Sequence, residues 1–184
     1  MRSEQDSLCP VLNRRGFDRE LGRALDHVRR YGGSLGVAFL DLDGFKPVND
    51  RHGHAAGDVL LVHVAEILVD AIRSSDSAAR LGGDEFALIL WNLDQETAAA
   101  KARAIEAAIA AVPAHIGTQA LAVGASCGIA LAQPGDTAAS LTARADLAMY
   151  ARKAERKIMM ARDGPAASES PAQAMMSGVR MSSR

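Results

Sequence analysis

The 184-residue chain has few of the residues that mark several classes of protein. Its two cysteines, Cys9 and Cys127, are far apart and lack metal-ligand spacing, which argues against a disulfide framework and leaves only a single bridge open. The formal net charge is −1, so we expect no surface for polymeric nucleic acid. Neither a signal-peptide pattern nor a membrane-length apolar run is present, which predicts a cytoplasmic protein.

What is present is the composition of an ordinary globular protein, with 48% hydrophobic and 23% charged residues. The length is sufficient for one domain with a substantial core. We expect a polar lead-in over residues 1–8, one domain over 9–162 and a disordered tail over 163–184. The tail is rich in Ser, Ala, Gly, Pro and Met and shows no periodicity.

The hydrophobic pattern predicts helices that alternate with strands. The strand over residues 34–41 is too apolar for an edge and should be central. The glycine pair at 82–83 predicts a hairpin. The remaining predicted elements are helices at 14–30, 58–72, 95–112 and 137–158, a helical turn at 45–48, and strands at 78–81, 84–91 and 119–132. This order indicates an α+β fold of the split βαβ type, a mostly antiparallel central sheet with flanking helices.

Two acidic segments stand out against this fold. Asp84 and Glu85 directly follow the glycine pair, and Asp41 ends the predicted central strand. Because that strand and the hairpin are neighbours in a split βαβ sheet, we expect the two segments to meet at one edge. Clustered carboxylates supply the hard oxygen ligands that Mg²⁺ and a nucleoside triphosphate require. The alternative for Asp84 and Glu85 is a polar hairpin turn.

The segment Gly82–Phe86 reads GGDEF and resembles the signature of the GGDEF family, the diguanylate cyclases. Three further blocks agree with that family in order and spacing: Asn13–Arg15, the segment 41–58, and the helix from Ala145 to Lys153. The resemblance covers roughly residues 6–158 and implies a palm-like fold similar to nucleotidyl cyclases. It also implies condensation of two GTP into cyclic di-GMP with release of two pyrophosphates. Two subunits, each holding one GTP, would face each other as a homodimer.

The resemblance assigns metal and catalytic roles to the acidic segments. Asp41, Asp84 and the backbone carbonyl of Leu42 would hold Mg²⁺ (or Mn²⁺) against the phosphates. Asp84 or Glu85 would help to deprotonate the attacking 3′-hydroxyl, and the sequence does not separate these two candidates.

The resemblance also assigns residues to the nucleotide. Asn49 and Asp58 would read the guanine edge, where an amide can donate to O6 and a carboxylate can accept from N1–H and the 2-amino group. His54 would lie near the base or ribose. The alternatives are structural: a left-handed helix end for Asn49, a helix N-cap for Asp58 and a structural histidine. The residues expected at the phosphates are Gly44, Phe45, Lys46, Gly82, Gly83, Lys153 and Lys157, with surface lysines as the alternative for Lys46 and Lys157.

Two departures from the family pattern are visible. Near the end of the last helix the family usually has Gly followed by Arg, whereas this chain has Arg156 and Lys157. Lys157 keeps the charge but loses the planar bidentate fork of arginine. The family commonly shows Leu-Thr-Gly-Leu before Asn13, whereas this chain has Leu-Cys-Pro-Val over residues 8–11, which changes the lead-in and the subunit contact rather than the chemistry.

An Arg-x-x-Asp segment, Arg73 to Asp76, ends five residues before the glycine pair. The family has its inhibitory product site at this spacing, so the resemblance implies that Arg73 and Asp76 bind cyclic di-GMP. Arg80 would either assist or pair across the hairpin. The structural alternative is an arginine at a helix C-terminus followed by a turn.

Three functions follow from these residues. The first is a diguanylate cyclase with GTP as substrate and cyclic di-GMP as product and inhibitor. The second is a catalytically weak or inactive module that senses GTP or cyclic di-GMP. The third is a nucleotidyl cyclase with another product. The intact acidic residues argue against the second function, and the guanine-reading pair argues against an adenine cyclase.

Overall fold

The computed structural model describes residues 3–162, so the expected tail at 163–184 lies outside the described residues. None of the helices within the described part is long and apolar enough to cross a membrane. The elements are β1 (Leu12–Asn13), α1 (Arg14–Tyr31), β2 (Leu35–Asp43), α2 (Phe45–His52), α3 (His54–Asp70), β3 (Ser77–Gly82), β4 (Glu85–Trp91), α4 (Gln95–Ala111), β5 (Ala114–Ile116), β6 (Gln119–Leu121), β7 (Gly124–Leu131) and α5 (Ala138–Arg162).

The main sheet has five strands in the order β1-β3-β4-β2-β7. The pair β1–β3 is parallel, and the other three pairs are antiparallel. The expected α+β fold with a mostly antiparallel sheet is therefore confirmed. Strand β2 lies between β4 and β7, which confirms that the strand expected at 34–41 is an interior one.

The two faces of the sheet carry separate hydrophobic clusters. On one face, Leu40 and Phe86 pack with residues of α3 and α4. On the other face, Val37 and Ile89 pack with residues of α1 and α5 such as Phe17. Because successive side chains of a strand point to opposite faces, a strand covered on both sides must be apolar at nearly every position. This explains the continuous hydrophobic run of β2.

Helix α5 packs on β7 at a glycine. A Cβ atom built on Gly128 would overlap the backbone nitrogen of Met149, so the helix and the strand touch through their backbones at this point. The close approach requires glycine. It sets the height of α5 above the sheet and thereby the position of the side chains further along the helix.

Three expected boundaries were wrong. Helix α3 begins at His54 rather than at residue 58, because Gly53, with φ of 83°, ends α2 and starts α3. The expected helical turn at 45–48 continues to His52. The expected strand at 119–132 is divided into β6, which pairs with β5 in a separate two-stranded sheet, and β7. Strand β5 has only three residues, too few to show a periodicity.

The N-terminal residues fold back against β1. The Asp6 amide donates to the Val11 carbonyl at 2.9 Å, and Gln5 forms an antiparallel bridge with Leu12. Cys9 and Cys127 are both buried and free, so no disulfide joins them. Burial raises the pKa of the Cys9 thiol to about 11 and that of the Cys127 thiol to about 12.

A buried carboxylate accepts a backbone amide at the outer edge of β7. Glu106 of α4 is 4% exposed, and its Oε1 accepts the Cys127 amide at 2.9 Å. The Arg152 guanidinium of α5 donates two hydrogen bonds to the same carboxylate, from Nη2 to Oε2 at 2.7 Å and from Nε to Oε1 at 2.9 Å. Burial alone would raise the pKa of Glu106, but the hydrogen bonds from Arg152 and Cys127 outweigh it and hold the pKa below its usual value. The pair ties α4 and α5 together around an otherwise open sheet edge.

We predict that Gly128→Ala lowers the free energy of unfolding by about 3 kcal/mol, because the new methyl group pushes α5 off the sheet. Gly22→Ala is the matched control, since a Cβ there meets nothing within 4 Å. It should stabilise helix α1 by about 1 kcal/mol. Urea unfolding measures both, and equal effects of the two substitutions would contradict the packing argument.

We predict that Glu106→Gln destabilises the fold by about 2 kcal/mol at neutral pH, because it removes a buried charge that three donors stabilise. The folded-state pKa of Glu106 lies below its usual 4.5, so its ionised form contributes stability above that pH and loses it as the pH falls through the folded-state pKa. The difference between variant and wild type should therefore shrink in acid. Glu155→Gln, which alters an exposed partner of Arg152, should change little at any pH.

Candidate functional site

The acidic segments meet at one end of the central strands, as the sequence predicted. Asp41 of β2 lies directly opposite Glu85 of β4 in the antiparallel register. The Leu42 amide donates to the Asp84 carbonyl at 3.3 Å, which extends the pairing by one residue towards the hairpin turn. In the sequence 42 residues lie between Asp41 and Asp84, and the strand pairing brings them together.

Arg80 fixes the glycine turn that presents Asp84. Gly82 and Gly83 have φ of 145° and 53°, in the region that favours glycine. The Arg80 guanidinium donates to the Gly83 carbonyl from Nε at 3.0 Å and from Nη2 at 2.8 Å. Arg80 also pairs with Asp6 at 3.4 Å. The Arg80 side chain therefore contacts the turn of the hairpin itself.

Lys153 of α5 reaches the end of β2. Its Nζ lies 2.5 Å from Asp41 Oδ1, and both side chains are mostly buried. Burial alone would lower the pKa of Lys153. The hydrogen bond and charge of Asp41 outweigh that effect, with further contributions from Asp43 and Asp84, so the pKa lies above its usual value. The lysine is therefore a firmly protonated cation at the centre of the acidic site.

The two acids of the hairpin have different surroundings. Burial raises the pKa of Asp84, and the nearby charge of Asp41 raises it further against the opposing effects of its own backbone amide, Lys153 and Arg80. Glu85 is exposed, and its carboxylate lies 4.0 Å from Arg14. Asp84 is thus the half-buried acid that interacts with Asp41, whereas Glu85 faces solvent at the rim.

The donor atoms fit a divalent cation that is shared with a phosphate ligand. Within residues 3–162 no three His, Cys, Asp or Glu side chains are arranged to hold a metal by themselves. The carboxylates of Asp41 and Asp84 are nevertheless close enough to interact electrostatically. The ammonium group of Lys153 donates a hydrogen bond to Asp41. Mg²⁺ typically binds through one or two carboxylates together with substrate phosphates. Two carboxylates and the Leu42 backbone match that donor set.

The segment after β2 carries the residues expected at the nucleotide. Gly44, with φ of 87°, leads into α2, where Phe45 is buried and Lys46 is exposed. The structural alternative for Asn49, a left-handed helix end, is wrong, because Asn49 lies inside α2. Asn92 is the one non-glycine residue with positive φ between residues 3 and 162.

Asn49 packs against a glycine of α3. A Cβ atom on Gly57 would overlap Asn49 Oδ1, which is buried and has no hydrogen-bond partner within the described part of the chain. His54 and Asp58 are exposed in the first turns of α3. Asp58 is not the N-cap of that helix, since the N-cap is Gly53.

The segment from Arg73 to Asp76 forms a compact turn after α3. Asp76 Oδ2 accepts the Arg73 amide at 3.0 Å, and Asp76 Oδ1 accepts the Trp91 amide at 2.9 Å. The Arg73 side chain is exposed. Arg73 and Asp76 line two shallow cavities of about 420 and 490 Å³. The turn expected as the structural alternative is present, and the arginine stands between two open cavities.

The structure also adds residues that the motif did not indicate. Arg156 of α5 donates to Asp43 Oδ2 at 3.0 Å, whereas Lys157 is exposed. The Ser126 hydroxyl lies 2.9 and 3.1 Å from the two oxygens of Asp43. One signal was available in the sequence: Asp43 is two residues after Asp41 in a strand and therefore shares its face.

The model of the family described as diguanylate cyclase, GGDEF domain, matches residues 3–158. The chain belongs to the GGDEF family. Nearly all of the described structure lies within that match, and the resemblance seen in the sequence is confirmed.

Named relatives agree with this GGDEF assignment. The chain is 42% identical over 153 residues to an uncharacterised signalling protein of Caulobacter vibrioides, covering 82% of this chain and 19% of that protein. It is 40% identical over 159 residues to the diguanylate cyclase TpbB of Pseudomonas aeruginosa, covering 84% of this chain and 36% of TpbB. The chain thus spans between about a fifth and about a third of these curated relatives.

Solved GGDEF structures share the fold. A sensory box/GGDEF family protein from Caulobacter crescentus superposes with a TM-score of 0.77 at 43% identity, covering 83% of this chain and 99% of that one. The GGDEF domain of DgcB from the same organism, in complex with c-di-GMP, has a TM-score of 0.79 at 32% identity. The match covers 84% of this chain and 92% of the DgcB domain. The expected palm-like GGDEF architecture is confirmed by these neighbours.

Proposed function

We propose that this GGDEF chain is a diguanylate cyclase that condenses two GTP into cyclic di-GMP and releases two pyrophosphates. The observation that carries the proposal is the register of β2 and β4, which sets Asp41 opposite Glu85 and beside Asp84. Relatives named diguanylate cyclases, such as TpbB, support the same reaction. The free, buried cysteines suit a reducing compartment, and we infer that the reaction takes place in the cytoplasm.

We assign the phosphates to the acidic end of the sheet. Asp41, Asp84 and the Leu42 carbonyl would hold Mg²⁺ (or Mn²⁺), which when bound offsets the charge that develops as pyrophosphate leaves. Lys153 supplies a protonated cation at the same place. The backbone around Gly82, Gly83, Gly44 and Phe45 and the Lys46 ammonium would contact the remaining phosphate oxygens. Lys157 is exposed and would contact a phosphate only from the solvent side of the site.

We assign proton transfer to the hairpin acids. The attacking 3′-hydroxyl of one GTP must lose a proton as its oxygen bonds to the α-phosphorus of the other GTP. Asp84 is half-buried at the end of the paired strands, whereas Glu85 is exposed at the rim, so we take Asp84 as the proton acceptor. Glu85 lies opposite Asp41 at the rim and would support this step from the solvent side.

We assign guanine recognition to α2 and α3. With Oδ1 of Asn49 turned towards Gly57, its Nδ2 remains to donate to O6 of the base. The exposed carboxylate of Asp58 would accept from N1–H and the 2-amino group, and His54 would lie near the base or ribose. A base with an amino group at position 6 offers a donor where Nδ2 requires an acceptor, so this pair selects guanine over adenine.

Each site holds one nucleotide, so we infer that two copies of the chain must face each other for the ring to close. Each 3′-oxygen bonds to the other nucleotide's α-phosphorus as one pyrophosphate leaves. The homodimer is therefore part of the proposed mechanism. The rate per molecule should rise with protein concentration until the dimer is saturated.

We predict that the purified chain with GTP and Mg²⁺ produces cyclic di-GMP and pyrophosphate, measured by chromatography across a series of protein concentrations. Asp84→Asn should reduce the rate by at least about 100-fold, because it removes a charge and a proton acceptor. Glu96→Gln, an exposed change on α4, is the control and should leave the rate unchanged.

The same assay separates the alternatives. GTP binding without turnover would indicate a sensor module, and a monomeric cyclic nucleotide would indicate another nucleotidyl cyclase. Either result would contradict the proposed reaction.

We further propose that the product inhibits the enzyme at Arg73 and Asp76. The exposed guanidinium of Arg73 can fork onto a phosphate or guanine of cyclic di-GMP in the adjoining cavities. Both carboxylate oxygens of Asp76 already accept backbone amides. We therefore propose that Asp76 stabilises the turn that carries Arg73 and also faces the ligand.

We predict that Arg73→Ala raises the concentration of added cyclic di-GMP needed for half inhibition by at least about tenfold, since a charge-assisted contact is lost. The uninhibited rate should stay close to wild type. Arg103→Ala, an exposed arginine of α4, is the matched control and should remain inhibited. Equal inhibition of Arg73→Ala and wild type would remove this product site.

A further inference from the structure

Arg156 bridges two carboxylates beside the acidic site. It lies on α5 one turn after Lys153, and its side chain is 21% exposed. The Nε atom is 3.0 Å from Asp43 Oδ2, and Nη1 is 3.5 Å from Glu106 Oε2. The guanidinium is therefore held from both sides, on one side by the end of β2 and on the other by the buried carboxylate of α4.

Asp43 is the acid that this contact neutralises. It shares a face of β2 with Asp41 and is 18% exposed. Apart from Arg156, the Ser126 hydroxyl is a close polar neighbour, and it carries no charge. Without the guanidinium, Asp43 would add an uncompensated negative charge beside Asp84 and the Asp41–Lys153 pair, where we propose that the triphosphate binds.

Gly124 provides the space for the guanidinium. It lies opposite Asp43 in the register of β2 and β7. A Cβ atom on Gly124 would lie 2.8 Å from Arg156 Nη2 and 3.5 Å from Asp43 Cβ. The Arg156 guanidinium therefore packs against the backbone of β7 at Gly124, where a larger residue would displace it from Asp43 and Glu106.

We propose that Arg156 is a positioning residue for GTP: by neutralising Asp43 it keeps a further negative charge away from Asp41 and Asp84, the two carboxylates proposed to lie at the triphosphate. The proposal rests on the proposed function and concerns affinity rather than the chemical step. A like charge near a polyanionic ligand weakens its binding, and a fixed counter-charge removes that penalty. Glu106 keeps the guanidinium in place, because an arginine anchored by a second carboxylate has fewer alternative rotamers.

The test compares KM for GTP with kcat. Arg156→Ala should raise KM by about tenfold and leave kcat within about twofold, because Asp43 does not touch the reacting atoms. Adding Asp43→Asn to Arg156→Ala should return KM to near the wild-type value, since the uncompensated charge is gone. Arg156→Lys should lie between wild type and Arg156→Ala, because lysine keeps the charge without the fork.

A purely structural role predicts a different pattern. If Arg156 only supported helix α5, removing the Asp43 charge as well would not restore KM, and that result would overturn the proposal. Thermal unfolding of every variant accompanies the kinetics. Gly124→Ala supplies an independent variant: it should raise KM in the wild-type background by displacing the guanidinium and have no effect in the Arg156→Ala background.

A failure of the role proposed for Arg156 can be distinguished from a failure of the proposed cyclase activity. If the wild type converts GTP and the KM values of the variants equal that of wild type, the charge-balancing role is wrong while the cyclase remains. If the wild type does not convert GTP, calorimetric GTP binding in Mg²⁺ gives the same comparison through Kd. An unchanged Kd in Arg156→Ala, or no GTP binding by the wild type, would overturn the proposal.

Discussion

The site depends on the register of β2 between its two neighbours. A shift of one residue would move Asp41 and Asp43 to the face of α3 and α4 and expose Leu40 and Leu42 in their place. The apolar side chains on both faces make such a shift unfavourable, because the cluster beneath α3 and α4 would receive charges that have no partner there. The hydrophobic core therefore decides where the carboxylates stand, although none of them belongs to it.

Concentrated negative charge at one end of a sheet opposes folding unless cations are supplied. Helix α5 supplies them from successive turns: Lys153 contacts Asp41, and Arg156 contacts Asp43. Arg152 and Arg156 are anchored in turn by the buried Glu106 of α4. A single helix thus carries the compensation for two aspartates. Its seating on the backbone of β7 at Gly128 sets the height from which these side chains reach the strand.

This arrangement links stability with ligand binding. The charges that a metal ion and a triphosphate would engage are partly satisfied by protein cations in the free chain. Burial and the nearby charge of Asp41 raise the pKa of Asp84. A half-buried acid of this kind weakens the fold slightly when ionised and is suited to accept a proton or a cation, which is a common compromise at catalytic sites.

Local patterns in the sequence determined the secondary structure, the central place of β2, the GGDEF hairpin and the family, because hydrophobic periodicity and glycine turns act over a few residues. They placed α3 four residues late, missed β5 and gave no sign that Arg156 contacts Asp43. The last of these depends on contact between distant segments: Arg156 meets Asp43 across 113 residues, and only the packing of α5 on β7 brings them together. The sequence by itself therefore determined which chemical groups are present and on which elements they stand. Tertiary structure alone decided which carboxylate meets which cation, because charge pairing is set by the distances between packed elements.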